Sequence, residues 1–259
     1  MLPLNSIANA VIPSRKSDII QELQARILRL QGFKPECHNT SLDSRLGALK
    51  DAFPNGSFPL GAVHEFLSER KENASPTSGF IAGLLSSLMC NTGASIWISS
   101  SRTLFPPALK NFGIDPDRFI FIDLKNEKDV IWAMDEALKC SMLVSVVAEM
   151  RAISFTESRR LQLAVEQSQV TGFILRNNLR NLNTTACLSR WKITSLPSAP
   201  ITIGAVDALP GIGFPKWRVE LLRMRNGKPG AWDIQWMNGK FVPVYKTESI
   251  FLEHQKKAG

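Results

Sequence analysis

Five basic residues near the C-terminal end of the chain are candidates for binding an anionic partner. They surround a strand-like run and the turn that follows it: Lys216, Arg218, Arg223, Arg225 and Lys228. Successive side chains of a strand alternate between its faces, so Arg223 and Arg225 are predicted to project from the same face. Such a face can bind DNA or an acidic protein surface, because guanidinium groups pair with phosphates and carboxylates. The alternative is an ordinary solvated sheet face.

The net charge of +8 is concentrated in the same part of the chain. Residues 1–175 contain 18 basic and 18 acidic residues, whereas residues 176–259 contain 13 basic and 5 acidic residues. This asymmetry favours a polyanion or an acidic protein as partner over a merely solvated basic face. Arg176 and Arg180 stand in a polar stretch after an apolar strand, and they form a second candidate group for binding DNA or a partner. An ordinary solvated loop is the alternative there.

An α/β fold is predicted to position these residues. Residues 62–67 alternate like a strand, and apolar runs typical of buried strands occupy residues 96–98, 119–122, 143–148 and 172–175. Segments of helical character occupy residues 42–49, 79–90, 104–112, 126–140 and 154–167, and the last of them opens with the capping box Ser154-x-x-Glu157. Continuous apolar strands that alternate with amphipathic helices predict a mostly parallel sheet with helices on both faces.

The last third of the chain has a different pattern. A short strand is predicted at residues 191–193, followed by a long connection rich in Pro and Gly over residues 195–215. Two strand-like runs then flank the turn of residues 226–230, which predicts an antiparallel meander after the parallel sheet. We therefore predict an N-terminal helical segment in residues 1–40, a core with its meander in residues 41–252 and a polar tail in residues 253–259.

The order of elements resembles the core of RecA. The pieces that carry the resemblance lead into a strand that ends, in that family, at the phosphate loop: Leu42-Asp43, Phe53-Pro54-Asn55-Gly56, Pro59-Leu60-Gly61 and Val63-His64-Glu65-Phe66. The loop Gly-x-x-x-x-Gly-Lys-Ser/Thr cradles phosphates with its backbone N–H groups, and its hydroxyl holds magnesium. Here the segment from Ser68 to Gly79 contains no Gly-Lys-Ser/Thr, and Arg70 and Lys71 stand too early in it. Pro76 also removes a backbone donor.

Two further positions depart from the RecA pattern. Ser99-Ser100-Ser101-Arg102 stands where RecA proteins carry the acidic residue that activates water. Ala148 stands where an aspartate helps to hold magnesium, and the strand period turns the next residue, Glu149, to the opposite face. We therefore expect a chain that is not an enzyme, although weak nucleotide binding without hydrolysis stays open. The degenerate nucleotide loop comprises Ser68, Arg70, Lys71, Gly79, Ser101, Ala148 and Glu149.

Composition argues against several other classes of protein. The four cysteines and three histidines are scattered, which indicates neither a disulfide framework nor a metal site, and no cofactor is expected. No run of apolar residues is long enough to span a membrane, and the N-terminus does not resemble a signal peptide, so we expect a cytoplasmic protein. Ser99, Ser100 and Ser101 lack the glycine elbow and the nearby histidine of a nucleophilic serine.

Several motifs are similar to those of the ImuA family, RecA-like accessory proteins of a damage-induced mutagenesis cassette that are remotely related to SulA. The matching segments are Pro59-Leu60-Gly61-Ala62-Val63-His64-Glu65, Ser158-Arg159-Arg160-Leu161-Gln162-Leu163-Ala164, and Trp217-Arg218-Val219-Glu220-Leu221-Leu222-Arg223 with Pro229-Gly230-x-Trp232. The resemblance spans about residues 41–236. It implies a role in SOS-induced error-prone translesion synthesis beside the polymerase homologue ImuB and an error-prone replicative-type DNA polymerase. It places no catalytic residue on this chain.

The basic strand also resembles the late strand of RecA and of related hexameric helicases. There, such residues reach across a subunit boundary to a neighbour's nucleotide. The resemblance therefore implies that Arg223 and Arg225 contact another RecA-fold subunit. RecA and DNA are therefore further candidate partners. Trp217, Trp232 and Trp236 are predicted to be core residues or partner anchors more readily than a stacking platform for single strands.

The patterns leave three functions open. The first is a non-catalytic adaptor of translesion synthesis, which the basic meander and the RecA-like length favour. The second is a SulA-like inhibitor that sequesters the division protein FtsZ. The third is a protein that retains weak nucleotide binding.

Overall fold

The computed structural model describes residues 40–68, 74–89, 93–101, 104–177, 182–198 and 213–244, together with Ile20 and Leu23. The chain divides into two compact units, Met1–His38 and Asn39–Gly259. In the first unit, Ile20 and Leu23 are helical and about half exposed, and the rest of the predicted N-terminal helix lies outside the described residues. The predicted boundary at residue 40 and the predicted polar tail of residues 253–259 stay predictions.

Helices and strands alternate through most of the second unit. Its described α-helices are α1 (Thr40–Arg45), α2 (Ala74–Leu88), α3 (Glu127–Leu138) and α4 (Phe155–Ser168). Its described strands are β1 (Val63–Ser68), β2 (Ala94–Ser99), β3 (Phe119–Asp123), β4 (Leu143–Met150), β5 (Thr171–Asn177), β6 (Ser189–Leu196), β7 (Lys216–Met224), β8 (Gly230–Met237) and β9 (Lys240–Pro243). Short 3-10 helices cover Gly47–Ala52, Pro54–Gly56, Pro106–Phe112 and Pro116–Arg118.

The nine described strands form one sheet in the order β3-β2-β4-β5-β1-β6-β7-β8-β9. The strands from β3 to β6 in this order are parallel, and β7, β8 and β9 continue the sheet in antiparallel pairs. The predicted α/β class is therefore confirmed, with a mostly parallel sheet followed by an antiparallel meander. This arrangement is compatible with a RecA-like core.

Helices cover both faces of the parallel part. Strand alternation turns Val63 of β1 to one face, where it packs in a core with Val130 of α3 and Leu161 of α4. Phe66 points to the opposite face and contacts Phe80 of α2, with ring centroids 6.2 Å apart. Both faces of β1 are thus buried, so the alternation predicted for residues 62–67 does not separate an exposed face from a buried one.

Four elements differ from the sequence expectation. The helix predicted at residues 42–49 is α1, which ends at Arg45, followed by the 3-10 helix Gly47–Ala52. Helix α2 begins at Ala74 rather than at residue 79, because Pro76 lies in its first turn, where a missing N–H costs nothing. The predicted helix at residues 104–112 is a 3-10 helix, Pro106–Phe112, which ends at Gly113 with a left-handed φ of 75°. The strand predicted at residues 191–193 is the eight-residue strand β6, which joins the parallel and antiparallel parts of the sheet.

An aromatic cluster fills the face beneath α2 and continues into the meander. Trp191 stacks on Phe66 with ring centroids 6.0 Å apart and an interplanar angle of 8°. Phe241 of β9 contacts Phe80 and Trp236 with centroid distances of 5.0 and 4.9 Å. The prediction that the meander tryptophans serve the core holds for Trp217 and Trp236, which are 3% and 5% exposed.

His64 is held neutral in this core. Its Nε2 lies 2.8 Å from the Pro59 carbonyl oxygen, which can only accept, so Nε2 carries the proton. Its Nδ1 then accepts from the Ser189 hydroxyl at 2.7 Å, and that hydroxyl accepts from Trp191 Nε1 at 2.7 Å. Complete burial lowers the pKa of His64 to about 4, although the bond to Pro59 opposes the shift.

The stability of the protein should therefore depend on pH through His64. Its ordinary pKa is 6.5 and its folded pKa is about 4, so the unfolded chain binds the proton more readily between these values. Stability is retained above the ordinary pKa and is lost as the pH falls towards the folded pKa. The His64 contribution should be about 2 kcal/mol lower near pH 5 than near pH 7. Urea denaturation at both pH values measures this loss, and His64→Gln should show a shallower dependence. An equal dependence in that variant would contradict the assignment.

Candidate functional site

The segment that corresponds to a phosphate loop packs into the core at both of its described ends. The Ser68 hydroxyl, at the end of β1, is fully buried and lies 2.9 Å from the Thr77 hydroxyl of α2. Gly79 lies within α2, where an added Cβ would meet Phe112 and Trp217 at 3.4 Å. The last glycine of a phosphate loop precedes its helix, whereas Gly79 is inside one. Arg70 and Lys71 lie outside the described residues.

The end of β4 presents no free carboxylate. Ala148 is fully buried in the core beneath α3 and α4. Glu149 points to the opposite face, where its Oε1 accepts from Trp97 Nε1 at 2.8 Å and its Oε2 accepts from the Ser99 hydroxyl at 3.4 Å. Ser101 is exposed, and its backbone N–H donates to Ser99 Oγ at 3.1 Å. Glu149 is thus committed to hydrogen bonds within the sheet rather than directed towards a bound metal.

A buried carboxylate in β1 organises the neighbouring arginines. Glu65 is fully buried and accepts from Arg176 Nη1 at 2.8 Å and from Arg190 Nε at 2.7 Å. The Thr185 hydroxyl donates to the same carboxylate at 2.8 Å. The prediction that Arg176 stands in a polar loop is wrong, because the residue lies within β5 and is 2% exposed. Its charge is used inside the protein, since a buried arginine requires a paired carboxylate.

The same network holds the segment of residues 182–188 against the sheet. Arg190 Nη2 donates to the Asn183 carbonyl oxygen at 2.7 Å. Arg223 of β7 donates from Nη2 to the Thr185 and Cys187 carbonyl oxygens at 2.8 and 2.9 Å. These bonds hold the guanidinium of Arg223 at a defined place on the surface without neutralising it, because carbonyl oxygens carry no net charge.

Arg223 lies in a groove between α4 and the β7–β8 turn. We call it the arginine groove, and the residues that define it are Phe155, Arg159, Leu188, Arg223, Met224 and Arg225. Its volume is about 470 Å³. Among the described residues, three arginines and no carboxylate line it. It is therefore a compact positive site with an apolar floor.

Arg223 and Arg225 both line the groove, but strand alternation is not the reason. Strand β7 ends at Met224, and Arg225 lies in the following turn, where its backbone N–H donates to the Leu188 carbonyl at 3.0 Å. A β-bulge opposite Arg190 and Trp191 also shifts the register there. The expectation that strand alternation alone places both arginines on one face is wrong.

The other predicted basic residues lie apart from the groove lining. Arg218 pairs with Asp233 at 3.3 Å on the neighbouring strand. Lys216 lines a second, mostly apolar groove with Trp217. Lys228 is exposed in the turn after β7. Arg180 lies outside the described residues.

Cys187, beside the groove, is not poised for covalent chemistry. Its burial, and to a lesser degree the Glu65 carboxylate, raise the pKa of the thiol to about 12. The thiolate needed for nucleophilic attack is therefore scarce at neutral pH. In the described parts of the chain, no group of three or more His, Cys, Asp or Glu side chains is arranged to hold a metal ion.

Comparison with known proteins decides the family. The chain is 33% identical over 225 residues to Protein ImuA of Caulobacter vibrioides strain NA1000 / CB15N, and the match covers 82% of this chain and 90% of that protein. The chain belongs to the ImuA family. Protein ImuA of Caulobacter vibrioides strain ATCC 19089 / CIP 103742 / CB 15 matches to the same extent. No protein-family model matches the chain.

Two ImuA-like motifs of the sequence meet in the arginine groove. Arg159 comes from the motif in α4, and Arg223 comes from the motif in β7. Sequence reasoning singled out Arg223 and Arg225 but missed Arg159, Phe155 and the central carboxylate Glu65. A glutamate inside an apolar strand was the available signal for Glu65, because a buried carboxylate requires a buried cation. Nothing in the local pattern signalled the role of Phe155.

Within the described ranges, the helices are all too short or too polar to cross a bilayer.

Proposed function

We propose that this ImuA-family chain is a non-catalytic, RecA-like accessory protein of SOS-induced, error-prone translesion synthesis. It acts by binding an ImuB-like polymerase homologue, and through it an error-prone replicative-type polymerase. The family membership supports the role in mutagenesis. The observation that supports a non-catalytic role is the arrangement at the end of β4, where Ala148 is buried and Glu149 accepts a hydrogen bond from Trp97. RecA and DNA are further candidate partners.

The sheet order supports the RecA-like part of the proposal. Parallel strands with helices on both faces lead into an antiparallel extension, and helix α2 is the next described element after β1, as the helix after the phosphate loop is in a RecA-like core. The protein would keep the architecture of an ATPase while using its surfaces for binding.

Capture of the partner tests the adaptor role. We expect the tagged chain, purified from cells with damaged DNA, to retain the ImuB-like protein, with or without RecA. A mock-tagged culture controls for nonspecific retention, and the washes stay at physiological salt because charge-based binding weakens as the salt concentration rises. Recovery of FtsZ in place of the ImuB-like protein would contradict the adaptor and support a SulA-like inhibitor.

An ATPase assay tests the non-catalytic part. We expect no ATP turnover above background from the purified chain, because no free carboxylate is available at the end of β4. Glu149→Ala should leave that background unchanged. Turnover that Glu149→Ala abolishes would refute this part of the proposal. An active RecA-type ATPase, assayed in parallel, confirms that the conditions support hydrolysis.

A further inference from the structure

We propose that the arginine groove is the docking site for a short acidic protein segment that carries one apolar anchor residue. The inference rests on the proposed partner-binding function and adds the surface and the chemistry of the bound segment. Three features support it: unneutralised arginines, an apolar floor and carboxylates on the neighbouring strands of the meander.

The arginines of the groove lack strong partners of their own. Arg159 approaches Glu166 at only 3.9 Å, and both side chains are about half exposed, so this pair contributes little. Arg223 bonds to backbone carbonyl oxygens. Arg225 pairs with no carboxylate among the residues that the structure describes. Three like charges in one groove repel each other, and carboxylates of a partner would relieve that repulsion.

The floor of the groove is suited to an apolar side chain. Leu188 and Met224 are 5% and 7% exposed, and Phe155 at the rim is 55% exposed. Arginine and aromatic side chains around a small apolar depression are typical of the centres of protein–protein interfaces. The carboxylates of an acidic segment would pair with the arginines around the groove, and one leucine or aromatic residue of that segment would pack on its apolar floor.

The charges outside the groove favour a short segment over a nucleic-acid backbone. A polyanion needs cations that continue along the surface. On the neighbouring strands of the meander, however, the carboxylates Glu220 and Asp233 lie beside Lys192 and Arg218, at 3.8 and 3.3 Å. A polyanion that continued from the groove along these strands would therefore meet like charges, whereas a short acidic segment would not extend that far.

Binding of the purified full-length chain to the purified ImuB-like protein tests this surface. We expect Arg159→Ala combined with Arg225→Ala to weaken binding at least about 30-fold, because two charge-assisted contacts are lost. We expect Phe155→Ala to weaken it about tenfold through loss of the apolar contact. Arg223 is left intact, since it also holds residues 185 and 187. Binding of the unchanged protein should weaken at high salt.

Lys110→Ala is the matched control, because Lys110 is exposed on the 3-10 helix over the opposite face of the sheet. It should leave the affinity unchanged. Equal binding by the double arginine variant and the unchanged chain would overturn the docking site while leaving the adaptor role intact. No binding by the unchanged chain would refute the adaptor role itself. A labelled oligothymidylate that loses affinity for the double variant, while the ImuB-like protein does not, would identify a nucleic-acid site and overturn the proposal.

Discussion

Replacement of Glu65 by alanine is expected to lower the free energy of unfolding by about 3–5 kcal/mol. The carboxylate is fully buried and accepts hydrogen bonds from Arg176, Arg190 and Thr185. Its removal leaves two guanidinium groups, 2% and 8% exposed, without a counter-charge. Urea denaturation measures the loss. A loss below about 1 kcal/mol would show that the ion pairs do not hold the sheet together.

Two further variants, one at Glu65 and one at a surface ion pair, separate the effect of burial from the effect of charge. Glu220→Gln is the matched surface control, because Glu220 pairs with Lys192 at 3.8 Å while both side chains are partly exposed. It should cost less than about 1 kcal/mol. Glu65→Gln keeps the shape and removes the charge, so its cost should lie between those of the alanine variant and the control. The Glu65→Ala variant should also lower the affinity of the arginine groove for its partner, because the hydrogen bonds of the Glu65 network hold residues 182–188 in place.

Replacement of Trp191 by alanine is the second large effect, with an expected loss of about 3–5 kcal/mol. The side chain is 1% exposed and contacts the rings of Phe53, Phe66 and Phe80. The cavity would open at β6, where the parallel and antiparallel parts of the sheet meet. Urea denaturation followed by far-ultraviolet circular dichroism measures the loss without relying on tryptophan fluorescence.

Trp132→Ala is the matched control, because it makes the same substitution at a position on α3 where the side chain is 63% exposed. Its cost should stay within about 0.5 kcal/mol. Trp191→Phe should lie between the two, because it keeps most of the ring contacts but loses the bond to the Ser189 hydroxyl. If Trp191→Ala cost no more than Trp132→Ala, the aromatic cluster would not be the core of this face.

The pattern of apolar residues was sufficient to predict most elements of the fold. Strand β4 and helix α4 follow from a continuous apolar run and from a capping box, both of which are local features. The start of α2 and the length of β6 were missed. Ser75 and Pro76 suit a turn as well as a first helical turn, and burial of β6 depends on its neighbours β1 and β7.

The sequence by itself determined the α/β class, the meander, the ImuA-like motifs and the concentration of positive charge after residue 175. These properties are recorded in local periodicity and composition. Only the tertiary structure decided which arginines are available to a partner. Arg176 and Arg190 are separated from Glu65 by 111 and 125 residues along the chain, and they are buried because β5 and β6 flank β1. The groove forms for the same reason, since α4 packs against β1 and lines the groove together with the end of β7. Whether a charge is paired or free depends on which strands are neighbours, and residue spacing does not specify that.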